Sequence, residues 1–297
     1  MKAVAEFAMR GRFQALLITV AGAGSLLFCW VSAAVLALVT LRKGAGTGAW
    51  LLLWALLPSG VLLYSVGDSG PLSLLLGTMF LAVVLRTTVS LSMAVLACVL
   101  VGAVCALVMI GFQQAYLEQI VSAFSSFLEN LEQQLSQGDN AVTLARPTAL
   151  QIAGMLGAGT AMTSVLCLLL ARYWQSELYN PEGFGAEFRL LRYSAAASTA
   201  MALAAAALAG LGLEYRTWAM ICLLPLNFAG LALVHARAKT RGQGAGWLTG
   251  FYLAWLLLDP VKLMVVFAAI ADSWFDFRQR WSGNSGTDVR EKNDEDN

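Results

Sequence analysis

"TVSLSMAVLACVLVGAVCALVMIGF", Thr88 to Phe112, contains no Asp, Glu, Lys, Arg or His. A helix needs about 20 apolar residues to cross a hydrocarbon core of about 30 Å, and this run is long enough. Lipid offers the backbone no hydrogen-bond partner, and the run lacks the apolar-polar alternation of a barrel strand, so it is expected to be helical. Working outward, similar runs occupy 14–41, 49–66, 70–86, 148–172, 194–212, 216–236 and 246–272. The expected fold is an all-α, polytopic integral membrane helix bundle with about eight membrane-embedded segments.

Composition agrees: 59% of the residues are hydrophobic and 12% charged, against about 25% charged in soluble domains. A net charge of +1, with basic residues scattered beside apolar runs, gives no footprint for nucleic acid. The five cysteines lie in apolar segments without a Cys-x-x-Cys, and there is one histidine, so no metal site is expected. HExxH, GxSxG and a carboxylate pair at catalytic spacing are all missing, and the expectation is a protein without enzymatic activity or cofactor. The basic opening resembles a signal peptide, but its apolar run is about twice the usual length, so it is read as retained.

Lysine and arginine set the expected orientation. With the six middle segments as simple crossings, Arg42, Lys43, Arg86, Arg172, Arg189, Arg192, Arg237, Lys239 and Arg241 fall on one face, and Arg146 and Arg216 on the other. The first face is read as cytoplasmic. Lys2, Arg10 and Arg12 belong there too, which requires 14–41 to dip in and return, turning near Ala21–Ser25; the alternative is an N-terminus that breaks the rule. Arg278 and Arg280 raise the same question for 246–272, and both answers stay open. The expected organisation is a cytoplasmic N-terminus (1–13), four membrane segments (14–112), an extracytoplasmic helix and loop (113–147), four more segments (148–272) and a polar, disordered tail (273–297).

Within 113–147, Leu117, Ile120, Val121, Phe124, Phe127, Leu128, Leu131 and Leu135 recur at three-and-four spacing opposite Glu118, Glu129 and Glu132, which predicts an amphipathic helix ended by Gly138, Asp139 and Asn140. Its polar face has no cation to seek anionic lipid, so it is expected to pack over the bundle or against a partner.

Three prolines, Pro58, Pro225 and Pro260, fall in mid-span, where each frees a carbonyl and is expected to kink or break its helix. Asp259 precedes Pro260 at membrane depth, reads as an N-cap, and has Lys262 three residues on. Asp259, Lys262, Asn227 and Ser59 are therefore candidate substrate-binding residues around a broken helix. The competing reading is a structural ion pair, with Asn227 and Ser59 bonding freed carbonyls or neighbouring helices. The glycine-rich loops after Lys43 and Lys239 lack a GK[ST] ending and read as turns. "LALVTLR" (Leu36–Arg42) and "LALVHAR" (Leu231–Arg237) raise the question of an internal repeat.

"ARYWQSELYNPEGFGAEFRLLR", Ala171–Arg192, interrupts the hydrocarbon. Arg172, Tyr173 and Trp174 read as interfacial anchors, and Phe184 and Phe188 as the apolar edge of a short surface helix. All five are also candidates for a partner-docking loop.

This stretch, with "AEFAMRGRFQALL" and "WVSAAVLALVTLRKG", resembles the proteobacterial branch of the YybS-like family of multispanning membrane proteins over most of residues 3–275. The resemblance implies a protein of the bacterial inner (cytoplasmic) membrane, remotely akin to the substrate-binding S components of energy-coupling-factor transporters. It implies partner subunits with ATPase activity, and it places no family site residue on this chain. The functional expectation is a small-solute transporter or S-component-like substrate-binding subunit; the alternative is a non-transporting scaffold or regulator.

Overall fold

The computed structural model describes residues 2–135 and 143–281. They are all-helical, without a strand among them. The helices are α1 (Lys2–Arg10), α2 (Arg12–Ala23), α3 (Cys29–Lys43), α4 (Ala45–Val66), α5 (Gly70–Thr88), α6 (Leu91–Leu96), α7 (Cys98–Phe112), α8 (Gln114–Leu135), α9 (Ala149–Tyr179), α10 (Gly183–Arg189), α11 (Ala195–Gly210), α12 (Arg216–Thr240), α13 (Ala245–Leu257) and α14 (Asp259–Phe275). The chain forms two compact units, one of residues 1–181 and 204–222, the other of 182–203 and 223–297.

Among the described residues, five helical stretches are long and apolar enough to cross a membrane: α4, α5, α6 with α7, α9, and Leu213–Thr240; the bent pair α13–α14 would make six. They are compatible with a membrane-embedded protein. These stretches do not confirm the expected count of about eight embedded segments: α2 and α11 are shorter apolar helices, and 14–41 divides into α2 and α3. Along α4, Leu53, Leu57, Val61 and Tyr64 are 60% to 94% exposed in one stripe, an apolar face that water would not tolerate and lipid would.

In the first unit α3 is the centre. Ala33 to Leu38 are all 0% exposed, because α1, α2, α4, α5 and α9 pack around it. A helix apolar on every side is buried on every side. Its small residues admit close neighbours: Ser32 Oγ donates to Thr19 O of α2, and Thr40 Oγ1 lies 3.1 Å from Met79 Sδ of α5. The chain turns over Gly24–Phe28, and α3 then runs back along α2 until Lys43 Nζ stands 3.5 Å from Met9 O. This antiparallel hairpin puts Arg10, Arg12, Arg42 and Lys43 at one end. Arg86 joins them, donating to Leu41 O at 2.6 Å and Thr40 O at 3.4 Å, where a cation suits the carbonyl end of α3. The α5–α6 hairpin is tight: Val89 adopts φ 52, and Ser90 Oγ accepts from Met93 N.

The opposite end gathers Ser69, whose hydroxyl is 2.8 Å from Gln113 Oε1, and Leu150, whose carbonyl accepts from Trp218 Nε1. Pro147 precedes a capping box in which Thr148 and Gln151 satisfy each other's backbone N–H. From there α9 runs 31 residues, about 46 Å at 1.5 Å each, well past a hydrocarbon core. It crosses α7 where Gly102 and Gly157 meet backbone to backbone.

Two of the three mid-span prolines fail to break their helices. Pro58 lies inside α4 and Pro225 inside α12; each loses one backbone bond while the helix continues through it. In α8 only Leu117 is fully buried, in a cluster with Cys105, Ala106, Met109, Ile152 and Ala153. Phe124, Phe127 and Leu135 stay exposed, so the expected packing holds for the first turns alone. The expected stop at Gly138, Asp139 and Asn140, and the acidic end of the tail, lie outside the described residues. Of the described start of that tail, Ser273–Phe275 belong to α14 and Phe277–Trp281 are helical.

Candidate functional site

The broken helix lies in the second unit. Pro260 has no N–H and its ring excludes a continuous helix. Leu258 accordingly leaves helical geometry (φ −117, ψ 109) and the axes of α13 and α14 meet at 111°. A bend beyond 90° turns α14 partly back toward the end from which α13 came. Leu258, not Asp259, takes the N-cap place, and no side chain caps the helix. Asp259 is the first helical residue, where its charge suits the helix dipole, and its carboxylate accepts from Lys262 Nζ at 2.8 Å. Asp259 is 88% exposed in this pair and Lys262 38%.

Side chains tie α13 to α12. Trp255 Nε1 donates to Asn227 Oδ1 at 3.2 Å, and His235 Nε2 stands 2.7 Å from Tyr252 OH. The bond from Trp255 shows Asn227 on the side of α12 that meets α13. A row of rings runs through this unit: Phe184 stacks on Phe188, Phe188 meets His235 edge-on, and His235 leans on Tyr252. Gly230 lets α14 approach α12, since a Cβ there would lie 2.2 Å from Val265 O.

At the end of α14, Arg278 Nη2 donates to Leu191 O at 2.9 Å and to Ala229 O at 3.4 Å, and Nη1 to Arg189 O. Its Nε lies 3.0 Å from Asp272, and Arg192 pairs with Asp276 at 2.8 Å. Asp276 is held below its usual range, first by the hydrogen bond from Arg192. These contacts place Arg278 beside Arg189 and Arg192, the arrangement that a returning α14 requires.

The structure thus joins Asp259 with Lys262 and Asn227 with Trp255. Ser59 belongs to the first unit, is 0% exposed, and donates to Ala55 O at 2.9 Å and toward Ala23 O at 3.5 Å. It fastens α2 to α4. The loop candidates divide likewise: Arg172, Tyr173 and Trp174 are still in α9 of the first unit, Phe184 and Phe188 in α10 of the second. Arg172 donates to Gln175 Oε1 and Tyr173 is exposed. Trp174 corrects its reading as an interfacial anchor. It is 1% exposed, because helix continues to Tyr179 and turns successive side chains about 100° apart.

His235, Tyr252, Trp255, Asp272 and Arg278 were not singled out as a set by the sequence. Asp272 and Arg278 lie six apart, a spacing that matches no helix face; they meet because α14 ends at Phe275 and the next residue, Asp276, turns the chain at φ 46. No group of three or more His, Cys, Asp or Glu able to hold a metal occurs among the described residues. Comparisons of the chain with protein-family models, curated proteins and solved structures gave no match.

Proposed function

We propose that this is a multispanning protein of the bacterial cytoplasmic membrane that handles a small solute, as a transporter or an S-component-like binding subunit, at the break between α13 and α14. The observation that carries this reading is the Asp259–Lys262 ion pair on a helix broken at 111° inside an apolar segment. Charge in such a place is costly and is kept where ions or polar solutes pass. The stitched faces of α12 and α13 give the break a rigid wall. The resemblance of the loop and N-terminal motifs to the YybS-like family points the same way. The chain acts without catalysis of its own, and any energy from ATP comes from partner subunits.

A second reading, a non-transporting scaffold, draws on one observation: Phe124, Phe127 and Leu135 of α8 are left uncovered. Affinity capture from native membranes, together with thermal-shift screening of the purified protein against small polar solutes, separates the two. Transport predicts an ATPase partner or a stabilising solute whose effect is lost in Asp259→Asn. Capture of a cytosolic assembly alone, with no stabilising solute, rejects it.

A further inference from the structure

We infer that the groove formed by α1, α2 and α4 holds an anionic phospholipid, with its phosphate at a basic mouth and one acyl chain along α2. The groove is about 630 Å³ and is lined by Phe7, Phe13, Leu17, Val20, Ala21 and Trp54. Positions 13, 17, 20 and 21 share one helix face; Phe13 is 82% exposed and Leu17 63%. Such a face in a membrane-embedded chain meets hydrocarbon.

The mouth of the groove carries the opposite chemistry. Arg10, Arg12 and Lys43 are exposed at the end where α1 gives way to α2. Arg12, Lys43, Thr47 and Trp50 come together around a tight crevice, and Trp50 connects it to the groove by packing edge-on against Trp54, 6.3 Å away. No side chain caps the first turn of α2, which leaves N–H groups for an anion. Glu6 is the one carboxylate before Asp68, against Lys2, Arg10, Arg12, Arg42 and Lys43. An acidic peptide would satisfy the cations and leave the rings uncovered, whereas a zwitterionic lipid would cover the rings and bring no net charge to the cations. An anionic phospholipid does both. The inference rests on the membrane reading of the chain and is independent of transport.

The test is tryptophan quenching in phosphatidylcholine vesicles containing a minor fraction of either brominated phosphatidylglycerol or brominated phosphatidylcholine. The expected result is a preference for the phosphatidylglycerol of up to about thirtyfold, as two cations near an anionic headgroup supply at about 1 kcal/mol each. The excess quenching disappears in Trp54→Phe, falls in Arg12→Gln/Lys43→Gln, and is abolished by Ala21→Phe, which fills the groove at an exposed position without touching charge. Equal quenching by the two lipids, or an excess unaltered in Trp54→Phe, overturns the site. Competition by inorganic phosphate also overturns it, since the ligand would then be the free anion. Quenching by neither lipid sinks the site and the membrane reading together.

Discussion

Asp272 Oδ2 lies 3.0 Å from Arg278 Nε, with the carboxylate side chain 2% exposed and the guanidinium 12%. Burial of both charges makes the pair costly to break singly, because the survivor stays desolvated. Arg278→Ala should destabilise the protein by about 3–5 kcal/mol and also strip the donors from Leu191 O and Arg189 O. Asp272→Leu/Arg278→Met should lose less than the single variant. Thermal unfolding in detergent measures both; an unshifted midpoint for Arg278→Ala would show the pair to be idle.

The α2–α3 hairpin places both of its ends on one side. In a cysteine-free background, Ala3→Cys and Gly46→Cys should react with a membrane-impermeant maleimide from the same side of sealed vesicles. Asp68→Cys, beyond α4, should react from the other. Labelling of Ala3→Cys together with Asp68→Cys would mean that α2 and α3 cross the bilayer as one.

Gly157 has no room for a methyl group: its Cβ would sit 2.4 Å from Gly102 O, which is backbone and cannot move aside. Gly157→Ala should therefore push α7 from α9 and cost about 1–3 kcal/mol of overpacking. Gly159 has nothing within 4 Å, so Gly159→Ala should not lower the thermal midpoint and should raise it slightly through the better helix propensity of alanine. Equal shifts in the two variants would remove the close crossing as the cause.

Glu132 is held below its ordinary 4.5, first by the Leu144 N–H it accepts and then by Arg146. The folded value is depressed, so the contact contributes fully above the unfolded value and is lost as pH falls through the lower folded one. The protection of the Leu144 amide, its exchange rate relative to the intrinsic rate at each pH, should persist down to pH 4.5 and fall only below it. In Glu132→Ala that protection should be missing throughout. A midpoint at or above 4.5 would contradict the docking of this segment on α8.

Apolar run length was enough to read the all-helical class, since a backbone in hydrocarbon has one local way to satisfy itself. Spacing was enough to read the pairing of Asp259 with Lys262, which sit three apart on one helix, and a turn before α3, although α2 runs on through Ala23 and the chain turns over Gly24–Phe28, later than "AGAGS" suggested. Proline position alone was a poor guide. Pro58 and Pro225 look like Pro260 in sequence, yet α4 and α12 run through theirs. The break at Pro260 is accompanied by two contacts from other turns: Trp255 bound to Asn227, and Gly230 receiving the backbone of α14.

Residue type and local period, then, determined which segments are helical, which faces are greasy and where charge collects, because each depends on neighbours within a turn or two. Tertiary structure alone decided that α3 is enclosed by protein and that Trp174 is buried. It also decided that Ser59 fastens two helices and that Asp272 finds Arg278. Each of these is set by contacts between helices distant in sequence or across a helix end, where no periodicity connects the partners.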